Sequence, residues 1–125
     1  MKKKLRQINV DNKVYLYSVR KRYNFESNTY HLKVKIFLNG RKNTPLIINF
    51  DDNLLGQLLN VGVLLLHKQT HEIVKINLNE PQYIKDLILL GQQKGWTGEN
   101  NLGIQDGCEY LVNLGYELKV IKPYF

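Results

Sequence analysis

The chain has 125 residues, enough for one domain to bury a core without help from a metal or a disulfide. It is 43% hydrophobic and 23% charged, a folding composition rather than a disordered one, and its one cysteine, Cys108, excludes an internal disulfide framework. The net charge of +7 is unevenly placed: residues 1–50 hold twelve Lys and Arg against two acids, and residues 51–125 hold six Lys against nine acids.

No run approaches the roughly 18 apolar residues of a membrane span. The basic start Met1-Lys2-Lys3-Lys4 is followed by Arg6, Gln7, Asn9 and Asp11 rather than the apolar stretch of an export signal, so a cytoplasmic protein is expected. No repeat or low-complexity linker divides the chain, and one domain over 1–125 is expected.

In chain order, Leu5–Val10 reads as a strand ended by the turn pair Asp11-Asn12. Lys13–Arg22, rich in Val and Tyr, is a second strand, and 24–28 is a polar loop. Thr29–Leu38 alternates, with Tyr30, Leu32, Val34, Ile36 and Leu38 on one face and His31, Lys33, Lys35 and Phe37 on the other. Asn39-Gly40 is a strong hairpin signal, and Thr44–Phe50 follows with Pro45 at its start. Residues 51–59 have Leu54, Leu55, Leu58 and Leu59 at helical spacing, weakened by Gly56. Residues 61–67 and 72–78 read as a hairpin.

Asn79-Glu80-Pro81 supplies a capping residue, an acid and a first-turn proline for a helix carrying Ile84, Leu87 and Ile88, with Gly95 as its stop. A second helix is expected over Gln105–Leu114, burying Tyr110, Leu111 and Leu114 and ending at Gly115, with Tyr116–Ile121 as a last strand. Strands segregated from helices give an α+β fold: an antiparallel sheet of about five to seven strands with two helices packed on one face.

Residues 77–96, Asn77-Leu78-Asn79-Glu80-Pro81 through Gly95-Trp96, resemble a pattern in small uncharacterised bacterial proteins, in which a strand runs through Asn-x-Pro into a helix ending in Gly-Trp. Val10–Tyr15 and Pro45–Phe50 are similar to strands of the same proteins. The resemblance carries no catalytic residues. It implies an immunity or accessory protein acting beside a bacterial toxin.

The residues themselves point to a surface rather than to chemistry. With the loop of the 13–22/29–38 hairpin centred on Glu26, Tyr15 faces Phe37, Tyr17 faces Lys35, Val19 faces Lys33 and Lys21 faces His31. That face would gather Tyr15, Tyr17 and Phe37 among Lys21, Lys33 and Lys35, with Arg20-Lys21-Arg22 extending it. Cations with aromatic rings suit an acidic protein surface, where aromatic and Arg side chains anchor interfaces. The alternative is a nucleic acid, stacked on the rings and paired through phosphate. The same face also reads as an ordinary half-solvated sheet surface, where Tyr–Lys cross-strand pairs are common.

Other candidates are weaker. His67 and His71 lack a third ligand at zinc spacing. Cys108 is flanked by Asp106 and Glu109, which disfavour a thiolate. Trp96 is expected to cover Leu87 and Ile88. The glycine turns at 95–98 and 103–107 lack the Lys-Ser/Thr ending of a phosphate loop. The expectation is a non-enzymatic interaction module without cofactor or metal.

Overall fold

The computed structural model describes residues 5–27, 29–50 and 62–118. The helical reading of 51–59 and the strand reading beyond Leu118 fall outside the described residues.

Strands β1 (Arg6–Val10), β2 (Lys13–Asn24), β3 (Thr29–Leu38), β4 (Leu46–Phe50) and β7 (Ile104–Asp106) form one sheet in the order β1-β2-β3-β4-β7. All neighbours are antiparallel except β4 and β7, which run parallel. A separate hairpin, β5 (Val63–Leu66) with β6 (Ile73–Ile76), matches the expectation for 61–78. Helices α1 (Pro81–Gln93) and α2 (Gly107–Asn113) complete the described chain. The fold is α+β, as the segregated pattern implied.

Local chemistry sets each boundary. Asp11 and Asn12 both take positive φ, 51° and 66°, the mirror-image turn that matches strand twist. This two-residue turn fixes Val10 opposite Lys13 and Ile8 opposite Tyr15. Helix α1 starts at Pro81, but its N-cap is Glu80 and no side chain caps it. The Asn77 side chain instead accepts from the Asn79 N–H at 3.0 Å, shaping the turn before the helix.

Both helices end alike. The Trp96 N–H reaches the Gly91 carbonyl and the Gly95 N–H reaches Gln92; the Tyr116 N–H reaches Leu111 and the Gly115 N–H reaches Val112. Gly95 and Gly115 supply the left-handed residue that this paired arrangement requires, at φ 111° and 101°. Each places a buried aromatic, Trp96 or Tyr116, directly after the helix.

The second helix is shorter than expected. Asp106 caps it through its carboxylate, which accepts from the Cys108 N–H at 2.9 Å, so the helix cannot begin at Gln105. Residues 104–106 pair with β4 instead. Tyr116 makes a single bridge to His67 rather than opening a long strand within the described residues.

The core lies between the sheet's inner face and the helices. Tyr15, Tyr17, Leu32, Val34, Ile36, Leu46, Ile48 and Phe50 meet Ile84, Leu87, Ile88, Trp96, Tyr110 and Leu111 in one cluster. Both helices approach this face: Gly91 of α1 abuts Leu46, and Gly107 of α2 abuts the Phe50 ring.

Candidate functional site: an open cationic sheet face

The β2–β3 hairpin is paired one residue away from the expected register. Tyr15 faces Leu38, Tyr17 faces Ile36, Ser18 faces Lys35 and Arg20 faces Lys33. A one-residue slip sends every side chain of a strand to the other face. Tyr15 and Tyr17 therefore belong to the core, each 1% exposed, and the expected ring-bearing docking face is corrected on this point.

The cause is visible at both ends of β2. Asn24 pairs with Thr29, which leaves an even, four-residue loop. The Asn24 side chain holds its start by accepting from the N–H groups of Glu26 and Ser27 at 3.0 and 3.4 Å. In the expected register Arg20 and Arg22 would have faced the core, a far costlier arrangement than burying two tyrosines. The Tyr15 hydroxyl is satisfied by accepting from Gln92 Nε2 at 3.1 Å, and its ring packs against Trp96 at 5.8 Å between centroids.

The six expected site residues thus divide. Lys33, Lys35 and Phe37 stay on the outer face; Tyr15, Tyr17 and Lys21 alternate to the inner side, where Lys21 is exposed beyond the core. Phe37 is only 4% exposed, although it sits outside the main core cluster. In place of the tyrosines, Ser18 and Arg20 join the outer face, and Leu5 and Lys42 flank it.

These side chains surround a groove of about 330 Å³. Ser18 is small and lies between longer neighbours, so the sheet surface dips over it. Leu5 and Phe37 give the groove apolar walls, and Arg20, Lys33, Lys35 and Lys42 give it four cations. No acidic side chain lines it among the described residues, and none of the four cations has an ion-pair partner there. Asn49, opposite Lys33 on β4, has a buried Oδ1 without a hydrogen-bond partner.

The loop that carries Lys42 is fastened to the body of the protein. Thr44 Oγ1 donates to the Gly98 carbonyl at 2.7 Å, and Trp96 Nε1 donates to the Thr44 carbonyl at 3.1 Å. Arg41 pairs with Glu99 at 2.8 Å, and Lys42 has no acidic partner among the described residues.

The remaining reactive groups serve the fold. His67 Nδ1 accepts from the N–H groups of Gln69 and Thr70, so Nε2 carries the proton and donates to the Leu114 carbonyl at 3.1 Å. Among the described residues no three His, Cys, Asp or Glu side chains group as a metal site. Burial raises the Asp86 carboxyl, against a lowering by Lys85, and also raises Tyr83 and Tyr116. Burial, with Glu109 adding to it, pushes Tyr110 up to about 12. These groups belong to the helix layer and its exit, on the opposite side of the sheet from the groove. No described helix is long and apolar enough to cross a membrane.

Fold and groove together define an α+β protein with an open, cationic sheet face. Compared with protein-family models, with curated proteins and with solved structures, the chain matches none.

Proposed function

We propose that the protein is a non-enzymatic interaction module whose outer sheet face docks an acidic surface of a partner protein. The observation that carries this reading is the unpaired array of Arg20, Lys33, Lys35 and Lys42 around a partly apolar groove. Four cations around one groove, with no acid among its described lining, repel one another, and an acidic partner relieves that repulsion. The apolar walls add area that charge alone would not supply. An immunity or accessory role beside a bacterial toxin, as the resemblance of residues 77–96 implies, fits such a module and belongs to the same proposal.

A nucleic acid is the second reading of this charge. Stacking on bases needs exposed rings, and Tyr15 and Tyr17 are committed to the core. That commitment favours the protein partner. Co-purification from the native host tests the proposal directly. A stoichiometric acidic partner should be retained by the wild type and released by Lys33→Glu with Lys35→Glu. Elution of the wild type alone under gentle conditions, or a tighter association with oligonucleotides that falls steeply with salt, would overturn it.

A further inference from the structure

Four positions of the outer face stand at the corners of a rectangle. Ser18 and Lys35 share one rung of the β2–β3 ladder, and Arg20 and Lys33 share the next rung on that face. Directly opposed β-carbons lie about 4.5–5.5 Å apart, and the two rungs are a two-residue step of about 6.6 Å apart. Three corners carry long, exposed cationic side chains; the fourth carries half-buried Ser18, which ends at its γ-oxygen. The recess therefore lies over Ser18, with a cation across from it, another beside it on β2 and a third on the diagonal. Leu5 and Lys42 complete the lining. The Ser18 hydroxyl makes no hydrogen bond among the described residues, and Arg20, Lys33 and Lys35 have no ion-pair partner there. One hydroxyl at the floor and three cations at the rim thus stay open around one recess that has no acid in its described lining.

Resting on the docking reading above, we infer that the recess over Ser18 takes a phosphate monoester carried by the partner protein, a phosphorylated Ser or Thr side chain. Such a group brings a charge of about −1.5 to −2 and three strong acceptor oxygens. A carboxylate brings one charge and two oxygens, and leaves part of this donor set unused. Arg20 supplies the planar fork that pairs two phosphate oxygens at once, and Lys33 and Lys35 add point charges on the neighbouring strand. The Ser18 hydroxyl donates from below. The groove, about 330 Å³, is far larger than one phosphate group, so its occupant brings flanking chain with it. A small phosphate ester such as a nucleotide fits less well, because sites of that class enclose most of the ligand in apolar and aromatic surface, and this groove is open. A nucleic-acid backbone offers only one charge per phosphate.

The test uses the full chain and two fluorescein-labelled peptides, measured by anisotropy at low salt. One carries a single phosphoserine and the other two adjacent glutamates, within the same Gly-Ser flanks, so that their charges nearly match. The phosphopeptide should bind roughly tenfold more tightly. Ser18→Leu fills the recess without removing a cation, and it should erase the difference while leaving charge-driven binding of both peptides. Arg20→Lys, a change on an exposed side chain, keeps the charge and removes the fork; it should weaken the phosphopeptide severalfold and leave the glutamate peptide unchanged. Equal binding of the two peptides to the wild type, or a preference that survives either substitution intact, overturns the inference. Inorganic phosphate should displace the phosphopeptide only at far higher concentration, and displacement at equal concentration also overturns it, since the recess then serves a free anion. A labelled oligothymidine separates the two levels of the argument. If the peptides bind equally yet both exceed the oligothymidine, the inference falls and the acidic-partner reading stands. If the oligothymidine exceeds both, or if neither peptide binds, both fall.

Discussion

Arg20 on β2 stands directly across from Lys33 on β3, two like charges on one sheet face with no acid between them among the described residues. Like charges at directly opposed positions destabilise a sheet, and opposite charges stabilise it by roughly 0.2–1 kcal/mol. Arg20→Glu should therefore raise stability in urea unfolding by about that amount. The same substitution should weaken the acidic partner. A variant that gains stability while losing binding separates the cost of the array from its use.

Tyr17 distinguishes the observed register from the expected one. It is buried in the core, and the Arg6 guanidinium lies 5.4 Å from its ring centroid. Tyr17→Ala should cost about 3–5 kcal/mol, the range for removing a large buried ring. Ser18→Leu, the next residue along the strand but on the outer face, should stay within about 0.5 kcal/mol of wild type. Urea midpoints for the pair read the side-chain parity of β2 directly.

At the start of α2, Gly107 lies under the Phe50 ring so closely that a β-carbon would enter the ring's van der Waals shell. Phe50 is fully buried and cannot swing away. Gly107→Ala should lose about 1–3 kcal/mol, an overpacking cost, despite alanine's better helix propensity. Thermal unfolding by circular dichroism gives the measurement.

Asp86 makes stability depend on pH. Burial raises its carboxyl above the ordinary value of 3.8, so the folded state holds this proton more tightly than the unfolded state. Unfolding stability from this group is then greatest below 3.8 and declines as pH climbs from there through the raised folded value. Asp86→Asn should remove that decline. Its melting temperature should exceed wild type at pH 7 and converge with it in strong acid.

Much of the architecture is legible from residue spacing. Asp11-Asn12 announces a two-residue hairpin, Pro81 and Gly95 bracket α1, and the residues from Val63 to Ile76 pair as their alternation implies. The short parallel strand β7 is not legible, since Ile104-Gln105-Asp106 has no distinctive pattern and its pairing depends on β4, far away in the chain. The placement of Tyr15 and Tyr17 is not legible for one physical reason: hairpin register rests on the parity of a loop, and a polar loop of four or five residues looks the same in sequence. Two signals in the sequence resolve it. Arg20 and Arg22 cannot share a face with the core, and the two-residue turn already places Tyr15 beside Ile8 on the inner side. Either one moves Tyr15 and Tyr17 inward and brings Arg20 and Ser18 out.

The clasp between Trp96 and the Thr44 carbonyl ties the helix side of the sheet to the loop that carries Lys42. A loose loop carrying Lys42 would surrender its conformational freedom each time a partner arrived; here most of that surrender has already happened during folding. If the outer face docks an acidic partner as proposed, the indole that closes the first helix holds the loop of Lys42 in place for it.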